Sequence, residues 1–303
     1  MQGSCSRNEA DRWGRMLLVV LLVGLLSGCS VRFVYNNADR LAVWQAGEYV
    51  DLDRAQRDWL RARMRVFMHW HRTQQLPEWA STLRSFELAV RDGVDGTELD
   101  ALYLTGERWY DDMLVQLQPT AVEFLSVLTE EQIAELPEAF ARRNAELDED
   151  YAGLDAEAQR VVWMREMRDA MDPPVGRLNA RQELLLEAAS TEVVPDNSAW
   201  VSYRERWQEA LLEALARRDE PGVLADAFAH LSFERESYYT DAYARVREVN
   251  DVVYREFTLQ LLRNLDDAQR ERLSKRLTDL AEDFEALVAE AGEAPEDPGP
   301  PPG

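Results

Sequence analysis

The sequence predicts an all-α protein, either a multi-helix bundle or an irregular helical array with short loops. Apolar residues recur at spacings of three and four along the middle of the chain, which is the period of an amphipathic helix. Alternation of the strand type is rare, and glycine and proline fall mostly between the periodic segments. A recurring helix-start motif shows where several of these helices begin.

The helix-start motif is a leucine, then Asp, Thr or Asn, then a glutamine three residues further on. Its copies are Leu52-Asp53-Arg54-Ala55-Gln56, Leu128-Thr129-Glu130-Glu131-Gln132, Leu178-Asn179-Ala180-Arg181-Gln182 and Leu265-Asp266-Asp267-Ala268-Gln269. The short polar side chain accepts from a backbone N–H of the first turn, and the glutamine reaches back to the cap N–H. Each cap is expected to contribute roughly 1 kcal/mol. The copies follow no fixed period, so no solenoid is predicted.

The segments between these starts are predicted to be helices, with a bend near Pro119. Their predicted ranges are 37–49, 53–74, 77–92, 98–127, 130–150, 156–171, 179–190, 198–217, 221–231, 235–263 and 266–289. The tail, 290–303, is rich in proline, glycine and acid. It cannot bury enough apolar surface to offset its chain entropy, and it is predicted to be disordered.

Two places favour a division of the helical body. They are Pro173-Pro174 and the stretch 191–197. We therefore expect an N-terminal helical half over 29–172 and a C-terminal helical half over 173–289.

Residues 1–28 have the organisation of a lipoprotein signal peptide. Arginines precede an apolar run over 16–26, which is too short for a bilayer span of about 20 residues but fits a signal peptide. Leu26-Ser27-Gly28-Cys29 then has the pattern of a lipobox, in which cleavage leaves the cysteine as the acylated first residue. The alternative is an ordinary signal peptide with a chance cysteine.

Lipidation at Cys29 has physical consequences for the mature chain. Diacylglycerol on the sulfur and a further acyl chain such as palmitate would anchor it stably, at about 0.8 kcal/mol per buried methylene. Ser30 follows the cysteine, and serine at this position in lipoproteins usually permits export to the outer membrane. The expected location is therefore the periplasmic face of the outer membrane. Cys5 is lost with the leader, so no disulfide is predicted.

The stretch 69–80, HWHRTQQLPEWA, raises the question of a metal site because it holds two of the three histidines. On a helical wheel His69 lies roughly 160° from His71, so the two cannot bind one metal within a helix. His71 shares an apolar stripe and is predicted to be buried with a hydrogen-bond partner, whereas His69 is predicted to be solvated. Leu76-Pro77-Glu78 is interpreted as a tight corner into the next helix.

Five arginines form a stripe on the helix predicted over 53–74. They are Arg54, Arg57, Arg61, Arg65 and Arg72. One interpretation is that they are solvated or pair with acids such as Glu130, Glu131, Glu135 and Glu138. The other is an anion-binding site for a lipid phosphate, a lipopolysaccharide phosphate or an acidic partner, because guanidinium groups match phosphate geometry.

Several classes of chemistry have no signal in the sequence. The net charge of −23 repels nucleic acid. No metalloprotease or di-iron histidine motif, nucleophile elbow or glycine-rich phosphate loop is present. No catalytic residue, metal or cofactor is therefore predicted, and the protein is not expected to be an enzyme. A site built only from carboxylates, tyrosine and arginine stays open as an alternative.

Separated motifs between Cys29 and Ala80 carry a family resemblance. They are Cys29-Ser30, Phe33-x-Tyr35-Asn36-Asn37-x-Asp39, Trp44, Tyr49-x-Asp51-Leu52-x-x-x-Gln56, His69-Trp70-His71-Arg72 and Leu76-Pro77-x-Trp79-Ala80. In this order they resemble an uncharacterised family of Gram-negative outer-membrane lipoproteins, a domain of unknown function. The resemblance implies an outer-membrane location and an all-helical fold, and it implies no activity.

The functional expectation is a lipid-anchored periplasmic protein that binds or scaffolds another component of the cell envelope without catalysis. Its expected partners are the membrane, through the lipid on Cys29, and another envelope protein or a lipid. The alternative is a chaperone-like binder of envelope proteins. It draws on Leu128-Thr129-x-x-Gln132, which is similar to motifs of the small helical periplasmic chaperones of the envelope stress response.

Overall fold

The computed structural model describes residues 31–301, and all regular structure in that range is helical. The helices are α1 Val31–Asn36, α2 Ala38–Gly47, α3 Arg54–Trp70, α4 Leu76–Asp92, α5 Gly96–Ser126, α6 Glu130–Asp148, α7 Ala156–Val175, α8 Ala180–Glu192, α9 Asn197–Ala216, α10 Val223–Phe233, α11 Asp241–Arg263 and α12 Asp267–Ala289. The predicted all-α class is confirmed. Within this range no helix has the length and apolar content needed to cross a membrane. The predicted signal peptide, 1–28, and Cys29 lie outside the described residues.

All four predicted capping boxes are formed. At the start of α3 the carboxylate of Asp53 accepts from the Gln56 N–H at 2.8 Å, and the Asp53 N–H donates to the Gln56 side chain at 3.1 Å. The boxes of α6, α8 and α12 have the same two bonds. A further capping box, formed by Asp95 and Glu98 at the start of α5, was not predicted because it uses glutamate in place of glutamine.

Two large hydrophobic cores organise the helices. The larger one lies between α4 and α12, which contact each other along their lengths, and it also takes side chains from α7, α8 and α11. Its most buried members include Leu76, Leu186, Ala281 and Leu287. The second core joins α2 and α3 to α6, α9 and α10 around Leu215, which has no exposed surface.

The predicted halves, 29–172 and 173–289, do not have separate cores. Each large core takes residues from both sides of the expected division. Pro173 and Pro174 lie inside the last turn of α7, which continues to Val175. A proline near the end of a helix removes a donor from one of the last turns, and the helix continues past both prolines here.

The stretch 69–80 contains a π-helical turn instead of the predicted corner. This turn, His71–Gln75, joins α3 directly to α4. Pro77 has no N–H to donate to a preceding carbonyl, and the wider turn before it lets the chain stay helical.

The predicted burial of His71 is confirmed. Its Nδ1 lies 2.7 Å from the hydroxyl of Tyr35, and its ring packs edge-on against Trp79 at a centroid distance of 5.0 Å. Burial lowers the pKa of His71 to about 4, so this imidazole is neutral at pH 7. His69, by contrast, is half-buried.

The C-terminal tail lies across α3. Between residues 291 and 301 it has no helix, but the carbonyl of Gly299 accepts from the indole N–H of Trp59 at 2.8 Å. The carboxylate of Asp297 accepts two bonds from Arg63, at 2.8 and 2.9 Å. The prediction of disorder came from composition alone, and composition does not show these two directional contacts.

A candidate binding cleft lined by aromatic residues

A cavity of about 880 Å³ opens between α5, α6, α9 and α10, and it extends to the end of α2 and the start of α11. We call it the aromatic cleft. Its rings include Tyr49, Phe124, Phe140, Trp200, Trp207 and Phe228. Most of its wall is apolar, and ligand pockets of this kind commonly measure about 300–1,000 Å³. The cleft therefore has the size and surface of a site for an apolar ligand.

One face of α9 supplies much of the wall. Trp200, Tyr203, Arg204, Trp207 and Leu211 all line the cleft. They are separated by three, four, seven and eleven residues from the first of them, which places them on one side of a helix. In a helix packed wholly into a core, such a stripe would be fully buried, but here all five residues of the stripe are only partly buried. The stripe faces an open volume.

The charged residues of the wall are all basic. The full chain has 57 acidic residues, yet no aspartate or glutamate lines the aromatic cleft, whereas Arg204 and Arg235 do. Gln208, Ser232 and several tyrosine hydroxyls add uncharged polar groups. The electrostatic character of the cleft is thus opposite to that of the chain as a whole.

Arg204 is held by a network of buried amides. Asn144 and Gln208 exchange side-chain hydrogen bonds of 2.9 and 3.1 Å. The Oδ1 of Asn144 also accepts from Nε of Arg204 at 3.1 Å, and the guanidinium carbon lies 5.0 Å from the centre of the Trp200 ring. Among residues 31–301 no carboxylate forms an ion pair with Arg204. The network fixes Nε and leaves the two terminal amino groups as donors.

Three tyrosines pack together where α9 meets α11. Tyr203 and Tyr243 stack at 4.8 Å with an angle of 5°, and Tyr239 meets each ring edge-on. Burial raises the pKa of Tyr203 to about 12 and raises the pKa values of the other two. All three hydroxyls are therefore protonated at pH 7, and they offer hydrogen bonds without charge.

A smaller cavity of about 250 Å³ adjoins the aromatic cleft and shares Leu147, Trp200 and Tyr243 with it. Glu166 and Asp196 line this cavity, and both carboxylates already have partners. Glu166 accepts from Tyr151 at 2.6 Å, and Asp196 caps α9. Within the described range no three side chains of His, Cys, Asp and Glu converge in the manner of a metal site.

The structure places the arginine stripe on α3 and, for Arg72, on the π-helical turn that follows it, away from the wall of the aromatic cleft. Arg54 and Arg61 lie 3.7 and 3.6 Å from the carboxylate of Asp58, and Arg65 lies 3.3 Å from that of Asp39. Arg72 donates to Asn36 at 2.5 Å and covers the ring of Tyr35, and Arg57 is exposed.

Two of the acids that were suggested as partners of the stripe have other contacts. Glu130 pairs with Arg218, and Glu135 accepts from the Asp51 N–H at 2.7 Å. The carboxylates that meet the stripe instead come from its own helix and from α2.

Sequence reasoning missed the aromatic cleft. In the sequence, adjacent aromatic pairs such as Trp109-Tyr110 and Tyr238-Tyr239 are compatible with core packing. Trp109 is indeed buried and stacks on Trp79 at 4.7 Å, but Tyr110 and Tyr239 line the cleft. The available signal was the aromatic stripe of α9, which carries an arginine between two tryptophans.

The comparisons with known proteins identify a family and no activity. The model of the family of unknown function DUF6279 matches residues 48–244, which is more than half of the chain. The matched segment contains every residue that lines the aromatic cleft except Ala46. No curated protein and no solved structure matches the chain. The chain is a member of the DUF6279 family, whose function is unknown.

Proposed function

We propose that the chain is a lipid-anchored protein on the periplasmic face of the outer membrane, and that its helical body binds an apolar component of the cell envelope without catalysing a reaction. The aromatic cleft carries this proposal. Its volume of about 880 Å³ and its apolar wall suit a ligand or an apolar segment of a partner. Its wall has no carboxylate to act as a general acid or base.

Two observations support the membrane location: the short distance in sequence from the lipobox cysteine to the first helix, and the exposed aromatic residues of α1 and α2. The predicted acylation site, Cys29, lies two residues before the start of α1 at Val31. Two residues span at most about 7 Å, so a lipid on Cys29 would hold α1 at the bilayer surface. Phe33 and Trp44, on α1 and α2, are 69% and 59% exposed, which suits contact with a lipid interface.

Acylation is tested by producing the full chain in a Gram-negative host and measuring the mass of the N-terminal peptide. We expect cleavage before Cys29 and the added mass of diacylglycerol and one further acyl chain. The variant Cys29→Ser should remain unprocessed. An unmodified cysteine in the wild-type protein would contradict the anchor.

Binding in the cleft is tested in cells with a photoreactive phenylalanine analogue in place of Phe140, which lines the cleft. The matched control position is Leu184, which is 64% exposed on α8. Ser232→Trp is expected to fill the cleft and to abolish the Phe140 adduct, whereas Ser81→Trp, on an exposed part of α4, should not. The proposal fails if the folded protein gives no adduct at position 140 beyond that at position 184, or if Ser232→Trp leaves the adduct at position 140 unchanged.

A chaperone-like function is the second candidate, and the concave aromatic wall is the observation that favours it. Such a wall could cover apolar segments of unfolded clients. The test is the light scattering of a denatured model client diluted into the protein at equal molar concentration. Suppression by the wild type and weaker suppression by Ser232→Trp would support this function, and no suppression by the wild type removes it.

A further inference from the structure

We infer that the aromatic cleft binds an anionic amphiphile, that is, a hydrocarbon chain with a carboxylate or phosphate head group, and that Arg204 receives the head group. This inference rests on the proposed binding function and names its ligand class. It depends on the sign of the charges in the wall, on the way Arg204 is held and on the apolar surface beyond it.

The charge of the wall selects against cations and favours anions. Its two charged residues are Arg204 and Arg235, in a chain with 57 acidic residues and a net charge of −23. An apolar wall strengthens electrostatic interactions because water is excluded from it. A cationic head group would meet the guanidinium group of Arg204 and no carboxylate of the wall, whereas an anionic head group would complement that guanidinium group.

Arg204 is positioned before any ligand arrives. The side chains of Asn144 and Gln208 are 7% and 6% exposed, and their reciprocal bonds fix the Oδ1 that accepts from Nε of Arg204. The Trp200 ring supports the guanidinium from one face. The terminal amino groups are thereby oriented as a fork, which is the geometry that binds carboxylate and phosphate oxygens in pairs.

Arg204 is half-buried, and burial removes part of the hydration of its charged group. Other arginines of this protein, such as Arg63 and Arg168, are each neutralised by an ion pair with a carboxylate of the same chain. At Arg204 the described residues supply only an amide oxygen and a ring. A bound anion would complete its hydrogen bonds.

The rest of the cleft fits the hydrocarbon chain. Leucines and aromatic rings of α5, α6, α9 and α10 form a continuous apolar wall beside Arg204. Burying each methylene of a ligand there contributes about 0.8 kcal/mol of transfer free energy. Tyr203, which also lines the cleft, adds an uncharged hydroxyl group to the wall.

The test uses the full acylated chain in vesicles of zwitterionic phospholipid with photoreactive amphiphiles of equal chain length. One arm uses a fatty acid, a second a phospholipid with an anionic head group and a third a fatty alcohol. Labelled peptides are then mapped. The first two arms distinguish a free carboxylate from a lipid phosphate as the natural head group. Peptides of α1 and α2 should be labelled equally in every arm, because they contact the bilayer.

We expect the acid or the anionic phospholipid to label peptides of α9 and α10 more strongly than the alcohol does. Arg204→Gln should reduce that labelling about tenfold or more, since a charge-assisted hydrogen bond is lost. Arg204→Lys, which keeps the charge without the fork, should give an intermediate loss. Arg181→Gln, at an exposed position of α8, should have no effect.

Three outcomes would overturn the inference. Labelling by the alcohol that equals the labelling by both anionic amphiphiles would show that the cleft does not select anions. Full labelling of folded Arg204→Gln and Arg204→Lys would show that Arg204 does not receive the head group. The third outcome is that no amphiphile labels the cleft, while the photoreactive residue at position 140 forms a specific adduct with a peptide in cells. This result would show that the occupant is a protein, and it would leave the proposed function intact.

Discussion

Gln56 and Gln132 exchange two side-chain hydrogen bonds, from Gln56 Nε2 to Gln132 Oε1 at 3.0 Å and from Gln132 Nε2 to Gln56 Oε1 at 2.7 Å. Each glutamine also closes the capping box of its own helix, α3 or α6. Gln182 and Gln269 join α8 to α12 in the same way, with both bonds at 2.9 Å. The glutamines of the helix-start motif therefore also join the helix starts in pairs.

We predict that Gln56→Ala lowers the free energy of unfolding by about 2 kcal/mol, because it leaves buried amide and carbonyl groups without partners. Gln132→Ala should cost a similar amount. The double variant should cost less than the two together, with a coupling free energy between about 0.5 and 3 kcal/mol. Urea denaturation of the four proteins measures this cycle.

The matched control combines Gln56→Ala with Gln182→Ala, which belong to different glutamine pairs. Those two effects should add to within about 0.5 kcal/mol. If Gln56 and Gln132 are also additive, the bonds between the capping boxes do not stabilise the fold.

The capping boxes show what the sequence could and could not predict. A capping box is local, because its cap and its glutamine lie three residues apart, and all four were found from the sequence. The pairing of the boxes joins positions 76 and 87 residues apart, and nothing in the motif says which two copies meet. Periodicity placed α2 to α12 for the same local reason, but it did not predict α1, and α11 begins at Asp241 instead of the predicted 235.

The aromatic cleft could not be predicted from the sequence for a related reason. Its wall takes side chains from positions as far apart as Ala46 and Tyr243. A helical stripe of aromatic residues looks the same in sequence whether it meets another helix or an open volume. Arg204 was the residue that departed from an apolar stripe, and its supporting amide, Asn144, lies 60 residues away on another helix.

His71 makes the stability of the protein depend on pH. Burial lowers its pKa to about 4 from the ordinary value of 6.5, so the folded state binds fewer protons than the unfolded state between these values. The stability that the neutral His71 side chain contributes is fully present above pH 6.5 and is lost as the pH falls towards 4. At pH 5 the loss should be about 2 kcal/mol, since each pH unit in this window costs about 1.4 kcal/mol.

The measurement is the difference in the free energy of unfolding between wild type and His71→Gln from pH 7.5 to 5, which removes contributions common to both proteins. Glutamine at this position can still accept a hydrogen bond from Tyr35. His230→Gln is the matched control, because His230 is exposed. A wild-type curve parallel to that of His71→Gln would contradict the proposed role of the buried imidazole.

Phe284 should be among the side chains most important for stability. It is 2% exposed on α12, and its ring packs edge-on against Trp79 at 5.8 Å. Phe284→Ala should lower the free energy of unfolding by about 3–5 kcal/mol, because it removes a large apolar side chain and leaves a cavity in the larger core. Leu184→Ala, at an exposed site, should change it by less than about 0.5 kcal/mol in the same urea titration.

The arginine stripe is expected to have a minor role in anion binding. Arg61 and Arg65 already meet carboxylates of the chain, although both pairs are partly exposed and therefore weak. Reversing Arg57, Arg61 and Arg65 to glutamate should leave the binding of lipopolysaccharide to the acylated protein in zwitterionic vesicles unchanged. A large loss of binding by a folded triple variant would instead support the anion-site interpretation.

The exposed apolar side chains of α1 and α2 should lie in the bilayer interface when the protein is anchored. On a continued helical wheel Phe33, Leu41 and Trp44 fall within roughly 80° of one another, and all three are exposed. Trp and Phe favour the head-group region of a membrane, and an interfacial helix buries such a face. Asp39 points away from this face and contacts Arg65.

A fluorophore that responds to polarity reports this contact when it is attached to cysteine in place of Trp44 or of the exposed Leu184. With Cys5 removed and Cys29 acylated, the introduced thiol is the reactive one. In vesicles, the label at 44 should emit at shorter wavelength and be quenched by spin-labelled head groups, whereas the label at 184 should report water. Identical, water-like emission at both sites of an acylated protein would mean that the lipid alone holds it, with α1 and α2 clear of the bilayer.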